Sequence, residues 1–358
     1  MNNDRISKSI PPHVHTWQTG RKSIWIAVLT LIPVIAWSIV LFGLPAIYIW
    51  GSTIFTALIT DGISSLVMHK KFYVSDASVL TGILIAAAMP ATVPLYIPIL
   101  ASIFAILVVR QFFGGVGSNW MNPAMAGIAF AYVNWPQSML PQLNPLNWQL
   151  DTLTGASPMA AIQEGFNAYY NTSPSIMSGL ISGADQAVTS FLNIWIFNPL
   201  HAKLPEGYVN FLLGLNANTL GEAGLLFIIL GSIVLISLNL VKIEIPAALF
   251  IMYLVLVKIF GLGISDLPTV DTNILTSLTM GGFLLCTFYY ATDPVSSPVT
   301  RAGMIFYGIL VAFLFYIFSR HRAFIEGGAF AVIIANIFVS SIDKLVIRIK
   351  ILLRSKSA

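Results

Sequence analysis

The chain reads as an all-α polytopic membrane protein of about ten transmembrane helices, arranged as two inverted five-helix repeats with a long extracytoplasmic loop between them. Three observations predict this. First, 57% of the residues are apolar and 9% are charged, against roughly one quarter charged in a soluble domain. Second, the uncharged runs are long enough for helices of about 20 residues. Third, the stretch "LTGILIAAAMP", with a helix ending at Arg110 and "FFGGVG" after it, has a weak echo. The echo is "LTMGGFLLCTFYYATDP", with a helix ending at Arg320 and "FIEGG" after it. An odd number of spans per copy makes the second copy inverted.

The elements follow in order. Residues 1–22 form a polar tail without the apolar core of a signal peptide, and it is expected to stay in the cytoplasm. No charge occurs from Ser23 to Thr60, and "FGLP" breaks the run, which predicts helices over 23–41 and 45–68. "MPATVP" divides the next uncharged run into a short segment, 78–89, and a full helix, 95–112. A fifth span over 122–134 completes the first repeat, 23–134. Residues 135–221, rich in Asn, Pro, Ser and Gly, form the long loop. Spans over 222–241, 244–262, 272–291, 302–319 and 326–343 make the second repeat, 222–343. The basic tail, 344–358, alternates basic and apolar residues and is expected on the membrane surface.

An even number of spans puts both termini on one side. All basic residues but Lys203, Lys258, Arg320 and Arg322 then share that side, which the positive-inside rule makes cytoplasmic. The loop 135–221 is therefore extracytoplasmic. Basic residues flank spans instead of forming one patch, so nucleic acid is not an expected partner.

The single cysteine, Cys286, excludes an intrachain disulfide and an iron–sulfur cluster held by this chain alone. No phosphate loop, dinucleotide fingerprint, zinc spacing or nucleophile–histidine pair occurs, so neither a catalytic residue nor a metal ligand is assigned. Three polar stretches stand out. In "FFGGVGSNWMNPAMAG", Gly114, Gly115 and Gly117 let backbone approach closely, and Asn119 and Asn122 offer amides. The stretch reads as a tight turn with a helix cap or as a ligand pocket at a helix N-terminus. In "YYATDPVSSPVT", Asp293 is a polar helix end or an ion contact. Asp61 sits within the second span, where a carboxylate is a functional candidate, though His69 and Lys70 nearby place it close to the interface. A solute transporter or channel would suit inverted repeats equally well.

"LTGILIAAAMPATVP", "FFGGVGSNWMNPAMAG", "DTLTGASPMA", "YYATDPVSSPVT" and "IEGGAFAVIIANIF" stand in the order and near the spacing of the RnfD/NqrB family. These are the flavin-bearing membrane subunits of Rnf complexes and of sodium-pumping NADH:quinone reductases. The resemblance covers nearly the whole chain and is closer to the RnfD branch, because the quinone-reductase counterpart usually carries a longer N-terminal extension.

The resemblance implies FMN held covalently through a phosphodiester. Aligned by Asp151, Thr154, Ala156 and Pro158, with Gly155 shaping the loop, the attachment residue is Ser157. The family normally has threonine there; serine keeps the hydroxyl and loses a methyl. A flavin transferase is implied as maturation partner. The family also implies a non-covalent riboflavin toward the cytoplasmic half, with Gly114, Gly115, Gly117, Asn119 and Asn122 as its candidate pocket. Iron–sulfur and flavin subunits of the complex would handle ferredoxin and NAD. Na⁺ or H⁺ would cross beside Asp61 and Asp293, in a bacterial cytoplasmic membrane. A quinone-reductase assembly remains an alternative.

Overall fold

The computed structural model describes residues 20–70, 72–139, 142–143, 154–155, 190–191, 194, 213–214, 219–260, 282–319 and 327–357. Among the described residues the regular elements are helices, apart from one short ladder and an isolated bridge between Pro90 and Thr219. Helices α1 (Gly20–Phe42) and α2 (Leu44–His69) are separated by Gly43, whose φ of 64° breaks the run, and Pro45 sits in the first turn of α2. Helix α3 is short, Asp76–Ala87. Helix α4 (Tyr96–Ile103) continues as a π-helical stretch, Phe104–Gln111. Helices α5 (Pro123–Asn134) and α6 (Pro136–Met139) follow. Strands β1 (Gln142–Leu143) and β2 (Thr154–Gly155) pair antiparallel, a small departure from the all-α expectation.

After the long loop, a 3₁₀ turn, Glu222–Gly224, leads into α7 (Leu225–Ser237). Then come α8 (Glu244–Phe260), α9 (Phe283–Leu285, π-helical from Cys286 to Tyr290), α10 (Arg301–Ser319) and α11 (Gly327–Ser357). Among the described residues, four helices are long and apolar enough to cross a membrane: α1, α2, α10 and α11. Three shorter apolar segments, Asp76–Ala87, Tyr96–Gln111 and Glu222–Ser237, lie among them. Half of the expected span over 272–291, residues 272–281, falls outside the described residues.

The C-terminal tail differs from expectation in one respect. No break separates it from the last span. Helix α11 has 31 residues, about 46 Å at 1.5 Å per residue, against a hydrocarbon core of about 30 Å. The basic end therefore leaves the apolar layer as helix.

Lipid is as apolar as a leucine side chain, so close backbone approach must hold these helices together. A Cβ on Gly127 would lie 2.8 Å from the Ala101 carbonyl, and one on Gly308 2.8 Å from that of Ile245. Aromatic packing fills α8, α9 and α10: the Tyr253 and Phe283 rings stack at 4.4 Å and Phe315 meets both edge-on. Buried Cys286 lies in this core with its Sγ 3.9 Å from the Gly328 carbonyl.

Polar contacts fix how the helices run. Arg21 pairs with Asp76 at 3.0 Å and Trp25 Nε1 donates to the same carboxylate, so α1 and α3 start at the same end. The end of α4 returns there through Arg110, which donates to Ser78 at 2.8 Å. Asn122, at the start of α5, donates to the Tyr290 carbonyl at the end of α9. Asp343, late in α11, accepts from the Val299 and Thr300 amides just before α10. At the other end of α10, a Cβ on Gly327 would meet Phe318 and Ser319, so α10 and α11 are antiparallel.

Candidate functional site

A cluster of buried polar side chains gathers at that shared end. Asp61, 1% exposed, projects from α2. Its Oδ2 accepts from the Ser75 amide at 2.7 Å, and its Oδ1 from Gln111 Nε2 at 2.5 Å. Ser75 in turn caps α3 through a bond from the Ala77 amide. One carboxylate thus ties three elements together.

Arg110, 4% exposed, lies beside it. Its guanidinium donates to Ser78, Thr81 and the Ala77 carbonyl. Asp61 and Asp293 both act on this buried cation as charges. Removing either partner of such a group leaves an uncompensated charge, a far costlier event than losing a surface pair. Sequence reading used Arg110 as a helix end in the repeat echo and as a marker of membrane side. The signal for more was its place on the apolar run leading into the glycine turn.

That turn begins where the π-helical stretch ends. Gly114, Gly115 and Gly117 have φ of 107°, 92° and 93°, values that a side chain would strain. Nothing lies within 4 Å of where a Cβ on Gly117 would be, so the turn is open. Phe113 and Trp120 flank it, edge to face at 6.3 Å, and both are exposed.

The two asparagines are used by the chain itself. Asn119 donates to the Met121 carbonyl at 2.8 Å. Asn122 caps α5 by accepting from the Ala124 amide at 3.0 Å while donating to Tyr290 at 3.1 Å. Asn336 of α11, its amide turned to suit its neighbours, accepts from the Asn122 amide at 3.0 Å and donates to the Ser296 carbonyl at 3.2 Å. The glycine–asparagine stretch and the "ATDP" turn, far apart in sequence, are therefore one structure.

Asp293 lies in that second turn, where Ser296 Oγ donates to it at 2.8 Å. Burial holds its carboxyl above the usual carboxylate range, against the opposing pull of Ser296, the Val295 amide and the Arg110 charge. Asp61 and Asp293 are thus brought to one charged cluster. Neither belongs to a group of three or more His, Cys, Asp and Glu side chains that would hold a metal ion, and none occurs among the described residues.

A further acid escaped sequence reading. Glu222, 4% exposed, precedes α7 at a crossing of interrupted elements. The Leu220 and Gly221 amides bond the carbonyls of Met89 and Ala87 at the end of α3. A Cβ on Gly221 would stand 2.7 Å from both Ala87 and Leu285. "LGEAG" opens an apolar run and looks like a loop end; only the paired breaks at "MPATVP" and before Phe283 bring it inside.

The flavin-attachment motif lies largely elsewhere. Asp151, Ala156, Ser157 and Pro158 fall outside the described residues. Thr154 and Gly155 form β2, with Thr154 opposite Leu143 and Gly155 opposite Gln142.

The NQR2, RnfD, RnfE family model matches residues 7–351. Among curated proteins, the chain is 27% identical over 346 residues to the D subunit of the Na(+)-translocating ferredoxin:NAD(+) oxidoreductase complex of Acetobacterium woodii, covering 96% of this chain and 94% of that protein. It is 31% identical over 321 residues to the D subunit of the ion-translocating oxidoreductase complex of Stutzerimonas stutzeri, covering 88% and 87%. The protein of the same name in Haemophilus ducreyi is 27% identical over 344 residues, covering 93% and 94%. With its match running through both halves of the bundle, the chain belongs to the NQR2, RnfD, RnfE family.

Proposed function

We propose that this protein is the flavin-carrying membrane subunit of an Rnf-type complex, which couples electron transfer between ferredoxin and NAD to Na⁺ or H⁺ translocation. One observation carries the proposal: relatives aligned over almost their whole length are named as the D subunits of ion-translocating oxidoreductase complexes. Those names favour an Rnf-type assembly over a quinone reductase.

In this reading the chain has ten spans in two inverted repeats, with both termini cytoplasmic and residues 135–221 outside a bacterial cytoplasmic membrane. The alternating helix directions support it. The cluster of Asp61, Arg110 and Asp293 then faces the cytoplasm, and the two acids flank the inner mouth of the ion path.

FMN attaches to Ser157 on the outer side, placed there by a flavin transferase. Riboflavin sits at the glycine turn. The open backbone at Gly115 and Gly117 and the exposed rings of Phe113 and Trp120 fit a flat aromatic system, while Asn119 and Asn122 hold the shape of the turn. A flavin supplies one- and two-electron transfer, which the protein positions and tunes. Partner subunits bring the ferredoxin and NAD sites, since this chain has no dinucleotide motif.

Mass spectrometry of the 151–170 peptide from the assembled complex tests the reading. The expected result is the mass of FMN in phosphodiester linkage on Ser157. Unmodified peptide from an active complex, together with no flavin fluorescence in a denaturing gel, would overturn it.

A further inference from the structure

Glu222 is the one acid of the bundle core, among the described residues, left incomplete by its surroundings. Its Oε2 accepts a long bond, 3.4 Å, from the Thr219 amide. Its Oε1 has no hydrogen-bond partner, and neither does the hydroxyl of Thr219, which faces the carboxyl from three residues back. Both side chains are almost wholly buried, 4% and 1% exposed. Neither ion pair among the described residues involves Glu222.

Among the described residues, the flanking elements bring no compensating charge. Gly224 lies against Val34 of α1, and Gly221 against Ala87 of α3 and Leu285 of α9. The titratable groups next along those stretches are Cys286 and Tyr289; the Tyr289 hydroxyl donates to Thr30. The Gly282 amide also points at the carboxyl. In depth, Ala87 lies eleven residues beyond Asp76, about 17 Å at helical rise, near the middle of an apolar layer of about 30 Å.

An anionic carboxylate here would be a bare charge at membrane depth. One proton on Oε1, donated to the Thr219 oxygen, satisfies both incomplete atoms at once. We infer that Glu222, with Thr219 as its partner, holds one exchangeable monovalent cation, a proton in the arrangement seen here. When that proton leaves to water, the carboxylate is neutralised by the alkali cation or the new proton that takes its place. Helix interruptions are where carbonyl and amide ends become available to a moving ion. This rests on the ion-translocating function proposed above and adds a midplane station to it, separate from the Asp61–Arg110–Asp293 cluster.

The test uses the whole complex in lipid nanodiscs and vesicles. Infrared difference spectra between acid and alkaline buffer, with and without Na⁺, report protonated carboxyl groups directly. The wild type is expected to show a carboxyl band that Glu222→Gln removes and Thr219→Val shifts. Loss of that band on adding Na⁺ at fixed pH identifies the alkali ion as the competing occupant; indifference to Na⁺ identifies the proton alone. In vesicles, Glu222→Gln is expected to lower ions moved per electron. Thr219→Val, which removes only the hydroxyl facing the carboxyl, is expected to raise the half-saturating concentration of the transported cation about tenfold. If Glu222→Gln does not assemble, Thr219→Val decides alone. An identical carboxyl band and identical ion stoichiometry in the assembled variants would overturn the inference. A wild-type complex that moves no ion would instead overturn the function, and the infrared result would still stand.

Discussion

Asp61 shows how a single buried carboxylate can be architectural. Both of its oxygens are engaged, by the Ser75 amide and Gln111, and its charge faces Arg110. Asp61→Ala is expected to cost about 3–5 kcal/mol, the range for stranding the partner of a buried charge. Asp61→Asn keeps the shape and one acceptor and should cost less. Thermal unfolding of the purified protein in detergent, followed through its tryptophans, measures both. Equal melting temperatures for the wild type and Asp61→Ala would show that the cluster does not hold the fold. The sequence made Asp61 visible because a charge interrupts an apolar run. It concealed Arg110 and Glu222, because an arginine near a span end and an acid before one look solvated until neighbouring chain covers them.

At the scale of elements, the short helices matter more than the long ones. Long spans are written in composition: α1, α2 and α10 lie within a few residues of the expected 23–41, 45–68 and 302–319. The interruptions are written in punctuation. "MPATVP" foretold that α3 stops early, and it does, at Ala87. What that leaves illegible is the partner at the break, since the Ala87 and Met89 carbonyls bond amides more than a hundred residues away. The same holds where the polar side chains gather, with Asn122 serving both as cap of α5 and as clamp on α9. Asn122→Ala removes both bonds. The cap alone is worth about 1 kcal/mol, and a buried Tyr290 carbonyl without its donor adds about 1–3 kcal/mol. Asn122→Asp keeps the cap and loses the clamp, so the two melting temperatures separate the contributions. If Asn122→Asp matches Asn122→Ala, the cap contributes nothing to stability.

For the whole molecule, the polar contacts and the charge rule bear on the proposed topology from independent directions. Bonds among Arg21, Asp76, Arg110, Asn122, Tyr290 and Asp343 collect helix ends at one face without reference to any membrane. Charge counting puts most of the lysines and arginines at the same ends, for the different reason that cytoplasmic loops keep positive charge. Their agreement makes a sharp prediction about sides. The protein has one cysteine, Cys286, buried in the core, so a membrane-impermeant maleimide should leave the wild type unlabelled. A cysteine placed in the long loop by Lys203→Cys should react in intact cells. One placed in the C-terminal helix by Lys356→Cys should react only after the membrane is opened. The helical continuation of α11 carries position 356 beyond the apolar layer, so a failure of Lys356→Cys to react in opened membranes would contradict the helix as well as the topology. Labelling of both positions in intact cells would put residue 203 and the basic tail on the same side, and no odd number of crossings between them would survive that result.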